Sequence, residues 1–128
     1  MKNLIVDAAR DKIVLTFIVG INIYTCSHEN SKINFEKLMI LINEFLKKNK
    51  SSLNEISTIY VNRGPGSFAG IRNSLSTIKA FFLTKNIDYY CFSFLDFNAT
   101  SGVKYEDVPN LCKKFKIKKN LINPIYLS

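Results

Sequence analysis

The chain is poor in several residue types, and each shortage excludes a class of protein. Only three cysteines, Cys26, Cys91 and Cys112, occur among its 128 residues, and no two have CxxC spacing. This predicts three reduced thiols rather than a disulfide framework. The sequence also has no tryptophan and a single histidine, His28. His28 shares a strand face with Cys26, but two ligands are too few for a zinc site, so no metal is expected.

Long apolar runs are missing as well, and we therefore expect no transmembrane helix and no membrane partner. An acidic residue, Asp7, comes early in the chain, which is unlike the start of a signal peptide. Together with reduced thiols, these features predict a cytoplasmic protein. The composition is 47% hydrophobic, which is enough for one domain with its own core.

Acidic residues are scarce, with 10 against 18 basic ones, so the formal net charge is +8 and the pI about 9.5. Five of the lysines cluster near the C-terminus: Lys113, Lys114, Lys116, Lys118 and Lys119. This charge admits an RNA or an acidic protein as partner. A solvated helix end followed by a soluble tail gives the same pattern, and no aromatic-rich RNA-binding motif accompanies the lysines. Both interpretations stay open at this point.

Hydrophobic patterning predicts three strands followed by alternating helices and strands. Strands are predicted at 4–7, 13–19, 21–26, 56–61 and 89–92, and helices at 33–47, at 68–83 and, as a short one, at 93–99. Short connections predict an antiparallel meander of the first three strands, and the helical crossovers predict parallel pairing of the later strands with the first. The order βββαβαβα indicates an α/β domain with a mixed five-stranded sheet over residues 1–100, followed by a basic tail at 101–128.

A glycine-rich turn, Arg63-Gly-Pro-Gly-Ser-Phe-Ala-Gly-Ile-Arg72, joins the fourth strand to the second helix. We expect φ > 0 at Gly66 and a helix N-cap at Ser67. A strand, a glycine turn and a helix start can together bind an anion, but the lysine of a P-loop is missing. A tight structural connection and a phosphate-binding corner both fit this spacing. The residues assigned to the structural loop are Gly64, Pro65, Gly66, Ser67, Gly70 and Arg72.

The same segment resembles the signature of the bacterial TsaB (YeaZ) family, in which a strand runs into GPGSFTGLR and then a helix reading roughly IGLATAKGLA. The matching residues are Gly64 to Phe68, Gly70, Arg72, Leu75, Thr77 and Lys79. The segment Ser93–Asp96 is similar to the family's Ser-Ser-Leu-Glu, and residues 123–128 are similar to its terminal Pro-x-Tyr-Leu-Arg. The family normally carries a second domain, which residues 102–120 are too few to encode, so the chain looks like a one-domain member.

The resemblance implies one half of the actin-like ATPase (ribonuclease-H-like) fold and a non-catalytic role in making threonylcarbamoyladenosine, a tRNA modification beside the anticodon. It implies binding to a TsaD-like catalytic subunit, with TsaE and the tRNA reached through the complex and a homodimer when that partner is absent. No catalytic residue and no cofactor are expected, because Ala8 and Ala9 replace the hydroxyl residues that follow the first strand in the family. A phosphate- or nucleotide-binding enzyme and a stand-alone basic RNA-binding module are the alternatives.

The two helices are predicted to form the docking surface for the TsaD-like partner. On the second helix, a core stripe of Phe68, Ile71, Leu75, Ile78 and Phe82 leaves other positions free for contact. The residues assigned to partner binding are Phe35, Met39, Leu46, Ala69, Asn73, Ser76, Ala80, Phe81 and Leu83. In the alternative arrangement, the C-terminal tail folds back over this patch through Phe115, Ile117 or Leu121.

Overall fold

Five strands and four α-helices make up the computed structural model, which describes residues 1–98 and 102–126. The strands are β1 (Lys2–Asp7), β2 (Lys12–Val19), β3 (Asn22–Glu29), β4 (Thr58–Asn62) and β5 (Asp88–Phe92). The helices are α1 (Lys32–Glu36), α2 (Leu38–Lys48), α3 (Phe68–Lys85) and α4 (Val108–Lys114). Short 3₁₀ turns occur at Leu53–Glu55, Phe94–Phe97 and Tyr105–Asp107.

The strands form one mixed sheet in the order β3-β2-β1-β4-β5. The first three strands pair antiparallel, while β4 pairs parallel with both β1 and β5. The α/β class, the meander and the parallel pairing predicted from the sequence are therefore confirmed. The short helix expected after β5 is a 3₁₀ turn at Phe94–Phe97, and Ala99, at the end of that prediction, lies outside the described residues.

The first predicted helix consists of two helices that meet at Lys37. The Ser31 hydroxyl caps α1 by accepting a hydrogen bond from the Asn34 N–H at 3.3 Å. Lys37 departs from helical geometry, with φ −107° and ψ 25°, although its carbonyl still accepts the Leu41 N–H at 3.0 Å. Phe35 and Leu38 lie three residues apart on either side of this break, and both are buried.

One face of the sheet is covered by α1, α2 and α3, and the main core lies between the sheet and these three helices. Alternation along β1 sends Leu4 and Val6 to this core and Ile5 to the opposite face. Within the described ranges, no helix is both long enough and apolar enough to cross a membrane.

The other face of the sheet is covered by the C-terminal segment. Ile5 and its neighbours on β4 and β5 pack against Val108 and Cys112 of α4, with Phe115 and Ile117 beside them. Asn120 then lies along the edge of β5, where its N–H donates to the Tyr89 carbonyl at 2.8 Å and its side-chain oxygen accepts the Tyr89 N–H at 2.9 Å. The segment 102–126 is thus a layer of the fold, and the expected boundary at residue 100 falls on residues 99–101, outside the described part.

Candidate functional site

The glycine turn between β4 and α3 is fixed by backbone geometry that only small residues allow. Gly64 has φ +109°, and a Cβ atom there would overlap the carbonyl oxygen of Ile125. The Asn62 side-chain oxygen accepts the Gly64 N–H at 2.9 Å, and the peptide bond to Pro65 is cis. Ser67 caps α3, as the sequence predicts, by accepting the Gly70 N–H at 3.1 Å.

Gly66 is required for a different reason from the one expected. Its φ is not positive, so the predicted left-handed conformation is wrong. A Cβ atom on Gly66 would overlap the Ala9 carbonyl oxygen, and one on Gly70 would overlap that of Ala8. The segment after β1 therefore passes directly against the turn and the first turn of α3, and the Ser67 N–H donates to the Ala9 carbonyl at 2.8 Å.

This packing determines what the corner can bind. A phosphate-binding corner needs free backbone N–H groups and open space at the helix start. Here the Ser67 N–H is already bonded to the Ala9 carbonyl, and the Gly70 N–H is bonded to the Ser67 hydroxyl. The carbonyl oxygens of Ala8 and Ala9 also bring partial negative charge to the space an anion would need. The geometry favours the tight structural connection over the phosphate-binding turn.

Asp7, at the end of β1, is fully buried and has three hydrogen-bond donors. Its carboxylate accepts the Ala9 N–H at 3.0 Å, the Arg10 Nε–H at 3.1 Å and the Tyr105 hydroxyl at 2.6 Å. Arg10 also donates to the Tyr105 hydroxyl at 2.7 Å and lies 4.7 Å from the Phe94 ring centroid. Burial, followed by the nearby Asp7 carboxylate, raises the pKa of Tyr105. The sequence predicts a turn role for Asp7, but it gives no sign of the contact with Tyr105, which comes from far along the chain.

Arg63 connects the glycine turn to the segment after β5. Its guanidinium donates to both carboxylate oxygens of Asp96, at 2.7 and 3.3 Å, and to the Asn123 carbonyl at 3.0 Å. Asp96 also accepts the Ser93 N–H at 2.8 Å in a capping box. The opposite end of the loop is less constrained, since Arg72 is exposed and lies 5.6 Å from the Phe68 ring centroid.

The outer side of α3 carries a line of small or short side chains with helical spacing. Ala69 and Ser76 are exposed, Asn73 and Ala80 are half-buried, and Leu83 is 69% exposed. On the neighbouring helices the exposed apolar residues are Ile33, Met39 and Ile40. We call these eight residues the helical face. Ile33 and Ile40 were not among the predicted contact residues, although both fall outside the apolar stripe of their helix, which is the signal that identifies them.

Three residues assigned to partner binding are buried and cannot belong to this surface. Phe35 and Leu46 are 7% and 0% exposed, because α1 and α2 pack against both the sheet and α3. Phe81 is 2% exposed, since it continues the stripe of Ile71, Leu75 and Ile78. Phe68, expected in the core, is 54% exposed beside Tyr126, with ring centroids 4.7 Å apart. Phe82 is half-buried and contacts Tyr89 edge-on.

Within residues 1–98 and 102–126, no three His, Cys, Asp or Glu side chains form a group that could hold a metal ion. Cys26 Sγ lies 3.8 Å from His28 Nε2 beside α2, and burial raises the pKa of this thiol. Burial also raises the pKa of Cys91 to about 11 and that of Cys112 to about 12. All three cysteines are free, and a thiol with a raised pKa is a poor nucleophile.

Comparison with known proteins relates this arrangement to tRNA modification. Residues 28–114 match the family model described as TsaD: tRNA N6-adenosine threonylcarbamoyltransferase. Over 89 residues the chain is 36% identical to the tRNA threonylcarbamoyladenosine biosynthesis protein TsaB of Buchnera aphidicola subsp. Baizongia pistaciae. That alignment covers 61% of this chain and 40% of the relative, so the chain spans less than half the length of this curated protein.

Solved structures agree on the fold. YeaZ from Pseudomonas aeruginosa superposes with a TM-score of 0.66 at 15% identity, covering 72% of this chain and 43% of YeaZ. RuvC from T. thermophilus, in complex with a Holliday junction substrate, gives a TM-score of 0.54 at 9% identity, covering 90% of this chain and 79% of RuvC. These likenesses support the expected single domain of the actin-like, ribonuclease-H-like type. The family-model match over residues 28–114 covers more than half of the chain and shows that the chain belongs to this TsaD family, within which the sequence likeness to TsaB supports a TsaB (YeaZ) assignment.

Proposed function

We propose that the chain is a non-catalytic subunit that supports threonylcarbamoyladenosine formation in tRNA by binding a TsaD-like catalytic protein through its helical face. The similarity to a relative named as a tRNA threonylcarbamoyladenosine biosynthesis protein supports a role in this modification. The observation that carries the docking role is the line of exposed and half-buried residues Ala69, Asn73, Ser76, Ala80 and Leu83 on α3.

Small side chains on this line let a partner helix approach the α3 backbone closely, and exposed apolar residues on α1 and α2 flank the contact. Ile33 is 69% exposed, Met39 44% and Ile40 55%. Exposed apolar residues on neighbouring helices are typical of interaction surfaces. Two helices from a similar partner would complete a four-helix bundle with this face.

The position of the C-terminal segment supports docking at the helical face. Phe115 and Ile117 pack on the opposite face of the sheet and not over α1–α3. Leu121 lies in the pocket beside Arg63 and Cys91. These three residues therefore do not cover the helical face, which the alternative arrangement would have required. A second copy of the chain would compete for this face when the partner is absent, and TsaE and tRNA would join through the catalytic partner.

We assign a non-catalytic role because internal contacts occupy the region at the end of β1. The buried Asp7 carboxylate is taken up by Tyr105, Arg10 and the Ala9 N–H. The Gly66 and Gly70 side of the turn is packed against the Ala8 and Ala9 carbonyls. A substrate or a nucleotide entering there would have to displace these internal contacts.

The test is the substitution Ala80→Arg, which adds a large charged side chain to the middle of the α3 line. Titration calorimetry against the TsaD-like protein of the same organism should show binding weakened at least about 30-fold, because an unpaired charge buried in an interface costs roughly 2–5 kcal/mol. Ser27→Arg on exposed β3 is the matched control and should leave the affinity unchanged. Equal affinity of the folded Ala80→Arg variant would contradict the proposed surface.

A further inference from the structure

A basic groove, formed by Lys113, Lys116 and Lys118 with the two pockets they line, lies on the opposite side of the sheet from the helical face. The larger pocket, of about 560 Å³, lies between Tyr60, Tyr90 and α4 and includes Lys113 and Lys116. The smaller one, of about 220 Å³, lies beside Arg63 and Asn123 and includes Lys116 and Lys118. Lys116 and Ile117 line both pockets, so the two adjoin along the C-terminal segment.

The positive charge of the groove is not neutralised within the described residues. Lys119 pairs with Asp88 at 3.5 Å, and Lys114 lies 5.5 Å from the Phe115 ring centroid. Lys113, Lys116 and Lys118 form no ion pair in the described part of the chain. The acidic side chain that lines the smaller pocket, Asp96, is held by Arg63 at 2.7 Å. Three unpaired cations therefore follow one another along the groove.

These lysines are held in place by an ordered backbone. The chain reverses after α4 at Lys116, which has φ +54°, and the Ile117 N–H donates to the Cys112 carbonyl at 3.0 Å. Asn120 then attaches the segment to β5 through both its backbone and its side chain. The backbone positions from which the three exposed lysines project are thus set by the fold, unlike in a flexible basic tail.

The larger pocket is lined by aromatic side chains. The Tyr60 and Tyr90 rings stack with centroids 5.3 Å apart and planes at 9°. Contact between aromatic side chains and bases is a common way of holding single-stranded nucleic acid.

We propose that the basic groove binds single-stranded RNA, with the three lysines contacting phosphates and the tyrosine-lined pocket receiving a base or a ribose. Phosphates match the unpaired ammonium groups, and the tyrosine rings match a base or a ribose. An anionic membrane fits less well, since a membrane-binding surface presents projecting apolar side chains rather than a concave pocket. The inference does not require the TsaD-like partner and stands or falls separately from the docking proposal.

The experiment measures fluorescence anisotropy of a labelled single-stranded RNA of about twelve nucleotides against the full chain over a range of salt concentrations. Three lysine–phosphate contacts predict that log K falls with log salt at a slope of about −2, which weakens binding about 20-fold between 50 and 200 mM salt. The triple variant Lys113→Gln, Lys116→Gln and Lys118→Gln should lose this salt dependence. The corresponding lysine-to-arginine triple should keep it, because arginine keeps the charge.

A matched control separates the groove from net charge. The triple Lys12→Gln, Lys37→Gln and Lys47→Gln removes the same charge from exposed positions on the helical side and on β2. It should bind RNA with nearly the slope of the unchanged chain. Equal weakening by both glutamine triples, no RNA binding at 50 mM salt, or binding to phosphatidylserine vesicles without RNA binding would each overturn the proposal.

Discussion

Substitution of Gly66 by alanine tests the close packing of the glycine turn. The added Cβ would overlap the Ala9 carbonyl oxygen, so the turn must move away and the 2.8 Å hydrogen bond from the Ser67 N–H to that oxygen must break. Overpacking costs about 1–3 kcal/mol and the lost hydrogen bond about 1 kcal/mol. We therefore expect Gly66→Ala to lower the free energy of unfolding by about 2–4 kcal/mol.

For a chain of 128 residues this loss corresponds to a fall of roughly 7–15 °C in melting temperature, measured by far-ultraviolet circular dichroism. Gly20→Asn is the control, because Gly20 has φ +60° and no atom within 4 Å of an added Cβ. Asparagine tolerates the left-handed region, so this variant should lose no more than about 1 kcal/mol. If Gly66→Ala melts at the same temperature as the unchanged chain, the contact with Ala9 does not constrain the turn.

Two further predictions concern buried polar groups. Tyr105→Phe removes the hydroxyl that donates to Asp7 at 2.6 Å and should lower the free energy of unfolding, measured in urea, by about 1.5–3 kcal/mol. The control Tyr24→Phe, at a partly exposed ring, should leave it unchanged. Equal effects of the two substitutions would show that the Asp7 contact is unimportant. Burial raises the pKa of Cys112 from 9.0 to about 12. As the pH rises, this thiol therefore ionises in the unfolded chain before it ionises in the folded one. Its contribution to the free energy of unfolding is fully present below pH 9 and should be lost as the pH rises from 9 to about 12. Urea midpoints measured over this range should fall less in Cys112→Ala, and parallel curves would refute the assignment.

The sheet was predictable because each strand has a local signature. The β-branched run of β2 and the apolar β1 specify strands, and their short connection specifies an antiparallel pair. The turn before α3 was recognisable from its glycines and from the family motif. The reason that residue 66 must be glycine was not predictable, because it depends on the carbonyl of Ala9, which is far away in sequence.

The helical face was predictable only in part. The helical repeat identifies which residues share a side of α3, and it correctly left Leu83 outside the core. It could not decide between Phe81 and Phe82, which are adjacent and equally apolar, because their burial depends on how α3 packs over β5. The break between α1 and α2 at Lys37 was also not predictable, because no proline or glycine marks it. The position of residues 102–126 on the sheet came from tertiary packing and had no local signal.

The contact between the segment after β1 and the start of α3 also has a consequence for how the chain folds. Gly66 and Gly70 can reach their final positions only when Ala8 and Ala9 are already in place, and those residues are set by β1. The β2–β3 hairpin, by contrast, closes through a two-residue turn at Gly20 and Ile21. Closing a long loop costs more chain entropy than closing a short one, so the hairpin should form first. Docking of α3 onto β1 would then be the late step that completes the parallel half of the sheet.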